Sequence, residues 1–248
     1  MTTAVILAGG LGTRLRSIVD DRPKPMAEVA GKPFLAHLMS YWLDQGIKKF
    51  ILSVGYRADQ IKQYFGSSFE GSEVEYVYEQ YPLGTGGALL LCRERKALTE
   101  PFLLLNGDTY FSISLQALKE MGKRGHADWV LSLFPTMPSQ RYLAIKVDGS
   151  GQISFQNTAD PHRIGDTTWA NGGVYWVNPR ALDVFNGSVT KISLESGIFP
   201  RCVELGQLFV GLCSDETFID IGVPEDFSRA QTMPFFCRNS LQKTDRDF

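Results

Sequence analysis

The chain has 248 residues, 44% of them hydrophobic, and its formal net charge at pH 7 is -2. A chain of this length buries a large core without disulfides or a structural metal, and its charge balance argues against a nucleic-acid partner, because phosphate backbones require a clustered excess of Lys and Arg. We therefore expect one α/β domain that binds small molecules over residues 1–232, followed by a tail or terminal helix over residues 233–248.

Strands alternate with helices in the first half of the chain. The predicted strands are residues 3–7, 49–54, 73–78 and 101–105, and the predicted helices are residues 32–46 and 59–65. This alternation implies parallel strand pairing with right-handed crossovers and helices on both faces of the sheet.

The second half has more strand character. The predicted strands are residues 128–134, 143–147 and 172–177, residues 147–151 form a predicted hairpin turn, and residues 179–185 and 193–205 are predicted short helices. The fold class predicted for the whole chain is α/β, with a Rossmann-like, mixed and mainly parallel sheet flanked by helices.

The cysteines and the N-terminal sequence indicate the cellular compartment in which we expect the protein. The four cysteines, Cys92, Cys202, Cys213 and Cys237, are widely spaced and fit neither a zinc site nor a disulfide framework. The N-terminus has no basic region before an apolar stretch, and no apolar run has the length needed to cross a bilayer. We expect a cytoplasmic protein with free thiols and no membrane partner.

A glycine-rich turn follows the first predicted strand. Gly9, Gly10 and Gly12 allow backbone N–H groups to approach an anion that a Cβ would exclude, and Arg14 adds positive charge. The turn matches neither the Rossmann G-x-G-x-x-G pattern nor a P-loop. On the glycines alone, a tight turn without a ligand is an equal alternative.

Three charged residues make phosphate binding the better interpretation. Lys24 stands between Pro23 and Pro25, which fix the backbone and present the ammonium at low entropic cost. Asp108 and Asp220 each end an apolar segment, although a capping role is the alternative for Asp108. If the two carboxylates meet, they would hold Mg²⁺ through oxygen ligands, with phosphates and waters supplying the rest.

Six sequence blocks occur in an order shared with a known family. They are G-G-x-G-T-R-L (9–15), P-K-P (23–25), P-L-G-T-G-G-A (82–88), N-G-D (106–108), N-G-G-V-Y (171–175) and D-I-G-x-P-E (220–225). This set resembles the sugar-1-phosphate nucleotidylyltransferases. Within that family the Ser17-Ile18 segment, the chain length and the Ser193-Leu194-Glu195 block are most similar to the D-glycero-α-D-manno-heptose 1-phosphate guanylyltransferases.

The resemblance implies the fold of the nucleotide-diphospho-sugar transferases and a direct transfer reaction. A sugar-1-phosphate oxygen attacks the α-phosphorus of a nucleoside triphosphate, pyrophosphate leaves, and an NDP-sugar for surface polysaccharide synthesis is formed. The finer resemblance implies GTP and the heptose 1-phosphate as substrates. Mg²⁺ is the implied cofactor, and a homo-oligomer is compatible with the sequence.

The same resemblance implies a role for each site residue. Nucleotide-binding residues are Leu7, Gly9, Gly10, Gly12, Thr13, Glu79, Gly84 and Thr85; catalytic residues are Arg14, Lys24 and Asp108; metal ligands are Asp108 and Asp220; sugar-binding residues are Asn171, Gly172 and Glu195. Arg14 would hold the pyrophosphate portion and Lys24 would neutralise charge near the α-phosphate. Tyr175, Trp169 and Arg163 are candidates to line the room for the extra carbon of a heptose.

Glu79 bears on the choice of base. A carboxylate only accepts hydrogen bonds, and guanine presents adjacent donors at N1 and N2, so Glu79 suits guanine. A solvated glutamate at a strand end is the alternative.

Two departures from the family pattern concern the sugar site. Gln156-Asn157-Thr158 stands where relatives carry an E-K lysine, and Tyr142-Leu143 stands where many carry Tyr-Gly, which makes a backbone contact to the sugar. Either Arg163 or another cation replaces the lysine, or the acceptor phosphate is held more weakly. The alternatives are a UTP- or dTTP-dependent hexose-1-phosphate enzyme and an inactive regulatory paralogue that binds nucleotide sugars.

Overall fold

The computed structural model describes residues 1–10, 12, 21–136, 144–155, 168–187 and 189–241. The strands are β1 (Thr3–Leu7), β2 (Glu28–Val29), β3 (Lys32–Pro33), β4 (Lys49–Val54), β5 (Ser68–Phe69), β6 (Ser72–Tyr78), β7 (Phe102–Asn106), β8 (Thr109–Phe111), β9 (Trp129–Thr136), β10 (Ala144–Val147), β11 (Ile153–Phe155), β12 (Thr168–Val177), β13 (Phe209–Cys213) and β14 (Phe218–Asp220). The α-helices are α1 (Phe34–Asp44), α2 (Ala58–Phe65), α3 (Gly84–Arg95), α4 (Leu115–Arg124), α5 (Phe199–Glu204), α6 (Pro224–Gln231) and α7 (Pro234–Leu241).

The main sheet is mixed, with a parallel centre. Its strands follow the order β11-β10-β12-β7-β1-β4-β6-β5, and β9 pairs with both β12 and β13. The pairs β7–β1, β1–β4 and β4–β6 are parallel, and Val5 lies opposite both Ile51 and Leu104. β12 runs antiparallel to β7 and connects the parallel centre to β9 and β10, two strands from the second half of the chain. The predicted mixed, mainly parallel sheet flanked by helices is confirmed.

Each face of the sheet packs against its own hydrophobic core. Alternate residues of a strand point to opposite faces, so Ala4 and Ile6 face one core while Val5 faces the other. The first core includes apolar side chains from α1, α2, α4, α6 and α7. The second includes side chains from α3 and α5. The central strands are thus buried on both faces, as their continuous apolar runs predict.

Several elements extend or replace what the sequence predicts. The predicted turn at residues 147–151 joins β10 to β11 as an antiparallel hairpin. Residues 193–205 form a π-helical turn, Leu194–Ile198, followed by α5, and a 3₁₀ turn spans Pro179–Leu182. The sequence patterns do not predict α3, α4 or β13. Residues beyond 232 include α7, whose Phe236 is fully buried.

Across the described ranges, no helix is both long enough and apolar enough to span a membrane.

Candidate functional site

The candidate site lies at the carboxyl edge of the parallel centre. β1, β4, β6 and β7 all end there, so the loops that follow Leu7, Val54, Tyr78 and Asn106 meet at one edge. Ala8 N donates to Ser53 O at 2.8 Å and Gly107 N donates to Leu7 O at 3.0 Å, which ties these loops together. This is where open α/β sheets bind ligands.

Lys24 joins the two aspartates that the sequence predicts to meet. Its Nζ lies 2.5 Å from Asp108 Oδ2 and 3.7 Å from Asp220 Oδ1. The side chains of Lys24 and Asp220 are 14% and 16% exposed, and that of Asp108 is 35% exposed. Two carboxylates therefore converge on one cation in a partly desolvated place, where electrostatic interactions are stronger than in water.

A short antiparallel ladder brings the two aspartates together although they are distant in sequence. β8 pairs with β14, which places Asp220 opposite Thr109, the residue after Asp108. Ile221 N donates to Asp108 O at 3.1 Å, and Gly222 N donates to Asp220 Oδ1 at 2.7 Å. A Cβ at Gly222 would lie 2.5 Å from Lys24 Nζ, so the glycine of D-I-G-x-P-E makes room for the ammonium.

The glycine-rich turn is described in part. A Cβ at Gly9 would lie 2.0 Å from Glu79 Oε1, and a Cβ at Gly12 would lie 2.9 Å from Lys24 Cβ. Gly12 also has φ of +59°, a conformation that favours glycine. No described atom lies within 4 Å of the Cβ position of Gly10. The glycines at positions 9 and 12 thus bring the turn against Glu79 and Lys24.

Glu79 follows β6 and is held beside the turn. Ser53 Oγ donates to Glu79 Oε1 at 2.9 Å, and Leu83 N donates to Glu79 Oε2 at 3.3 Å. The carboxylate is half-buried and held through both of its oxygens, so it is not a freely solvated strand-end glutamate. Sequence reasoning missed Ser53, although a serine among buried apolar strand residues was a signal for it.

The P-L-G-T-G-G-A block begins α3 and packs against residues 190–193. Gly86 N and Gly87 N both donate to Ile192 O at 3.0 Å. A Cβ at Gly84 would lie 2.7 Å from Ile192 O, and one at Gly87 would lie 2.5 Å from Thr190 O. These glycines are therefore required for close packing within the protein. Nucleotide binding by Gly84 stays a prediction.

Thr85 connects this block to the predicted sugar residue Glu195. Its Oγ1 accepts from Leu194 N at 2.8 Å and donates to Glu195 Oε2 at 3.3 Å. Ser193 Oγ donates to the same Glu195 oxygen at 2.8 Å. The predicted nucleotide-binding Thr85 and the predicted sugar-binding Glu195 are thus direct neighbours.

Asn171 and Gly172 lie at an irregularity in β12. The register of β12 against β9 shifts between Asn171 and Tyr175. Asn171 Nδ2 donates to the Tyr175 hydroxyl at 2.7 Å, and its Oδ1 accepts from Gly173 N at 3.0 Å. A Cβ at Gly172 would lie 2.5 Å from the Phe111 ring. Within the described ranges, these bonds use one amide hydrogen of Asn171 and one lone pair of its Oδ1.

Tyr175 does not line an open pocket, contrary to its predicted contact with a heptose. It is fully buried, and burial, followed by the Glu195 carboxylate, raises its pKa well above the usual value, so the hydroxyl stays protonated. Its hydroxyl accepts the hydrogen bond from Asn171 Nδ2 and so orients the Asn171 side chain. Trp169 is half-buried on β12.

Two polar atoms near Asp108 lack partners. Asn106 Oδ1 and Thr109 Oγ1 are buried and accept or donate no hydrogen bond within the described chain. Both side chains approach Gly173, whose Cβ would lie 2.7 Å from Thr109 Oγ1 and 2.8 Å from Asn106 Nδ2. Buried polar groups normally bind protein, water or ligand, so these atoms indicate a polar site beside Asp108.

Other predicted residues lie outside the described ranges. They are Thr13, Arg14, the Ser17-Ile18 segment, Tyr142-Leu143, Gln156-Asn157-Thr158 and Arg163. Leu7, the last residue of β1, is described and pairs with Ser53 and Asn106.

Known proteins are similar to this chain over most of its length. A family model described as nucleotidyl transferase matches residues 3–233. A D-glycero-alpha-D-manno-heptose 1-phosphate guanylyltransferase of Aneurinibacillus thermoaerophilus is 40% identical over 228 residues, which are 92% of this chain and 96% of that protein. A protein of the same name from Campylobacter jejuni is 38% identical and covers 90% of this chain, which spans 96% of it.

A solved structure extends the likeness to three dimensions. HddC from Yersinia pseudotuberculosis, complexed with GMP-PN, superposes with a TM-score of 0.76 at 32% sequence identity, over 93% of this chain and 98% of that one. The resemblance found in the six sequence blocks is thereby confirmed: the chain belongs to the nucleotidyl transferase family and, within it, to the sugar-1-phosphate nucleotidyltransferases.

Proposed function

We propose that the protein transfers a guanylyl group from GTP to D-glycero-α-D-manno-heptose 1-phosphate, releasing pyrophosphate and forming a GDP-heptose for surface polysaccharide synthesis. The observation that carries the reaction class is the convergence of Lys24, Asp108 and Asp220 beside the glycine-rich turn. The choice of substrates is supported by the two relatives at 40% and 38% identity, which bear that activity in their names.

The chemistry asks little of the protein beyond positioning and charge. The attacking sugar phosphate is already ionised, so no strong base is required. The barrier lies in bringing anions together and in stabilising charge on the α-phosphate and on the pyrophosphate that leaves. Among the described residues, Lys24 is a cation at the carboxyl edge of the sheet, where it would contact an α-phosphate. We propose that Arg14 contacts the pyrophosphate portion.

The two aspartates fit a magnesium ion. Both direct an oxygen at the Lys24 ammonium, so the pair already converges on positive charge. Within the described residues, no three His, Cys, Asp or Glu side chains gather around a common point, which is consistent with a metal that takes its other ligands from phosphates and water. Asp108 and Asp220 would hold the ion. When bound, Mg²⁺ would polarise the α-phosphate and neutralise developing charge.

The remaining residues orient the two substrates. We propose that the backbone of Gly9, Gly10 and Gly12 borders the triphosphate and that Glu79 accepts hydrogen bonds from the guanine edge. Glu195 and Asn171 would bond the sugar hydroxyls. Because Thr85 contacts Glu195 directly, the two substrate sides share one hydrogen-bonded group.

The test is a matrix of nucleoside triphosphates against sugar 1-phosphates, followed by pyrophosphate release. We expect the highest kcat/KM for GTP with the heptose 1-phosphate, with Asp108→Asn as the inactive blank. Mannose 1-phosphate, which lacks one carbon, is the critical comparison substrate, because a site that bonds a substrate hydroxyl rejects the analogue without it by up to about 10⁴-fold. If the enzyme used mannose 1-phosphate equally well or better, mannose 1-phosphate would replace the heptose 1-phosphate as the assigned acceptor.

Two other outcomes of the same matrix identify the alternatives. Equal use of UTP and GTP would show a hexose-1-phosphate enzyme without guanine preference. Nucleotide-sugar binding without turnover of any pair would show a regulatory paralogue.

A further inference from the structure

Ser53 is a buried polar residue in a strand that is otherwise apolar at its centre. It is 0% exposed, and its neighbours along β4, Leu52 and Val54, are also fully buried. Burying a hydroxyl without a hydrogen bond costs free energy, so such a residue is stable only with a partner. The partner identifies what the residue does.

That partner is the Glu79 carboxylate. Ser53 Oγ donates to Oε1 at 2.9 Å while Leu83 N donates to Oε2 at 3.3 Å. One donor on each oxygen fixes both the position and the rotation of the carboxylate plane. Each oxygen keeps a lone pair, so the group can still accept two hydrogen bonds from a ligand.

The Cys92 thiol of α3 is a neighbour of Ser53 that accepts hydrogen bonds only weakly. Burial raises the pKa of this thiol to about 12, so it stays uncharged. A neutral sulfur is a weak acceptor, whereas hydrogen bonds to an ionised carboxylate are among the strong ones. The hydroxyl proton of Ser53 is therefore directed to Glu79.

On its other side, the Glu79 carboxylate lies against the glycine-rich turn. Oε1 fills the space of a side chain at Gly9, where an added Cβ would lie only 2.0 Å away, and Glu79 Cβ lies 3.6 Å from the position of a Cβ at Gly55. The carboxylate is thus held between Ser53, Leu83 and the turn that follows β1. Of these three, the Ser53 hydroxyl is the contact that a single substitution removes.

We propose that Ser53 is a positioning residue for base recognition. It holds Glu79 so that both carboxylate oxygens face the two adjacent donors of a guanine edge, N1–H and N2–H₂. This inference rests on the proposed function, in which Glu79 contacts the base of GTP.

ITP tests the proposal because hypoxanthine keeps N1–H and lacks the 2-amino group. The parent enzyme should prefer GTP over ITP by about tenfold or more in kcat/KM, the scale of one hydrogen bond to a charged group. Ser53→Ala should raise the KM for GTP by roughly tenfold with little change in kcat, and should leave ITP much less affected. The ratio of GTP to ITP then falls toward one.

Matched variants separate positioning from folding. Ser72→Ala removes another buried serine hydroxyl, one that donates to Phe69 O, and should keep the parental GTP to ITP ratio. In a Glu79→Gln background, Ser53→Ala should have no further effect on that ratio, because Ser53 acts through Glu79. If Ser53→Ala does not fold, Ser53→Cys, which has a similar shape and a weaker donor, takes its place and should also lower the ratio.

The outcomes distinguish this inference from the proposed function. A parent that prefers GTP, together with a folded Ser53 variant of unchanged GTP to ITP ratio, overturns the role of Ser53 alone. An equal loss in the Glu79→Gln background also overturns it. A parent with no preference for GTP over ITP or UTP overturns the guanine assignment and the role of Ser53 together.

Discussion

Lys24 is the cation toward which Asp108 and Asp220 both direct an oxygen, and this contact has two consequences for catalysis. The ammonium partly compensates the two carboxylates before any substrate arrives, at 2.5 and 3.7 Å. A divalent metal bound by the same oxygens would have to displace it. The displaced lysine would then be free to meet a phosphate, so we propose that the arrival of metal and nucleotide is coupled to movement of this one side chain.

Removing the lysine should therefore strengthen metal binding to the free protein. We expect Lys24→Met to bind Mn²⁺ about tenfold more tightly than the parent in the absence of nucleotide, because the Lys24 ammonium then no longer competes with the metal for the two carboxylates. Titration calorimetry with Mn²⁺ measures this. Lys62→Met, which removes an exposed lysine on α2, is the control and should match the parent. Equal affinity in Lys24→Met and the parent would refute the competition.

Removing either carboxylate should abolish most turnover. Asp108→Asn and Asp220→Asn keep side-chain size and the β8–β14 ladder but lose the charge that would bind the metal. We expect kcat to fall at least about 10²-fold in each variant, the scale of single electrostatic groups in catalysis. Initial rates at saturating Mg²⁺ and a thermal melt of each variant check this. A variant that folds and turns over like the parent would show that its aspartate is structural.

At the scale of elements, local sequence patterns predict the helices and strands that they determine. Structure that depends on contacts between residues distant in sequence is not predicted. The central strands were predictable because a strand buried on both faces is a continuous apolar run, as in residues 101–105. The residues alone left it open whether Asp108 and Asp220 meet, and the family resemblance implied that they do; the ladder between β8 and β14 supplies the contact.

Helix α3 shows why the rest was not predictable. Gly84, Gly86 and Gly87 give its first turn a low helix propensity, so the sequence indicates a loop. The reason for these glycines is contact with residues 190–193, roughly a hundred positions away, which no local pattern encodes. Ser53 was missed for a related reason, since its partner Glu79 follows another strand, β6.

The packing of α3 makes a prediction about one of these glycines. In Gly87→Ala the new methyl would lie 2.5 Å from Thr190 O and 3.0 Å from Leu83 Cβ, so backbone must shift. We expect a loss of about 1–3 kcal/mol in the free energy of unfolding, the usual cost of overpacking. Urea unfolding measures it. Gly149→Ala, at a position where no described atom lies within 4 Å of the Cβ, is the control, and equal stability of both variants would contradict the packing role.

At the scale of the whole molecule, the end of the described chain closes the core beneath the site. The Phe236 ring of α7 lies 5.2 Å from that of Tyr110 on β8 and 5.0 Å from that of His37 on α1. β8 follows Asp108 and pairs with β14, which ends at Asp220. Helix α7 therefore packs behind the ladder beside both candidate metal ligands, and its Phe236 belongs to the core.

The last prediction tests that closure through Phe236. The side chain is 0% exposed, so Phe236→Ala removes a fully buried ring and leaves a cavity between α1, α7 and β8. We expect a loss of about 3–5 kcal/mol in the free energy of unfolding, measured by urea titration. Val203→Ala, at a position on α5 that is 49% exposed, should change stability by less than about 0.5 kcal/mol. If the ring contributes to the core, removing it must leave a destabilising cavity beneath Tyr110. A Phe236 variant as stable as the Val203 variant would therefore show that α7 does not contribute to the stability of the fold.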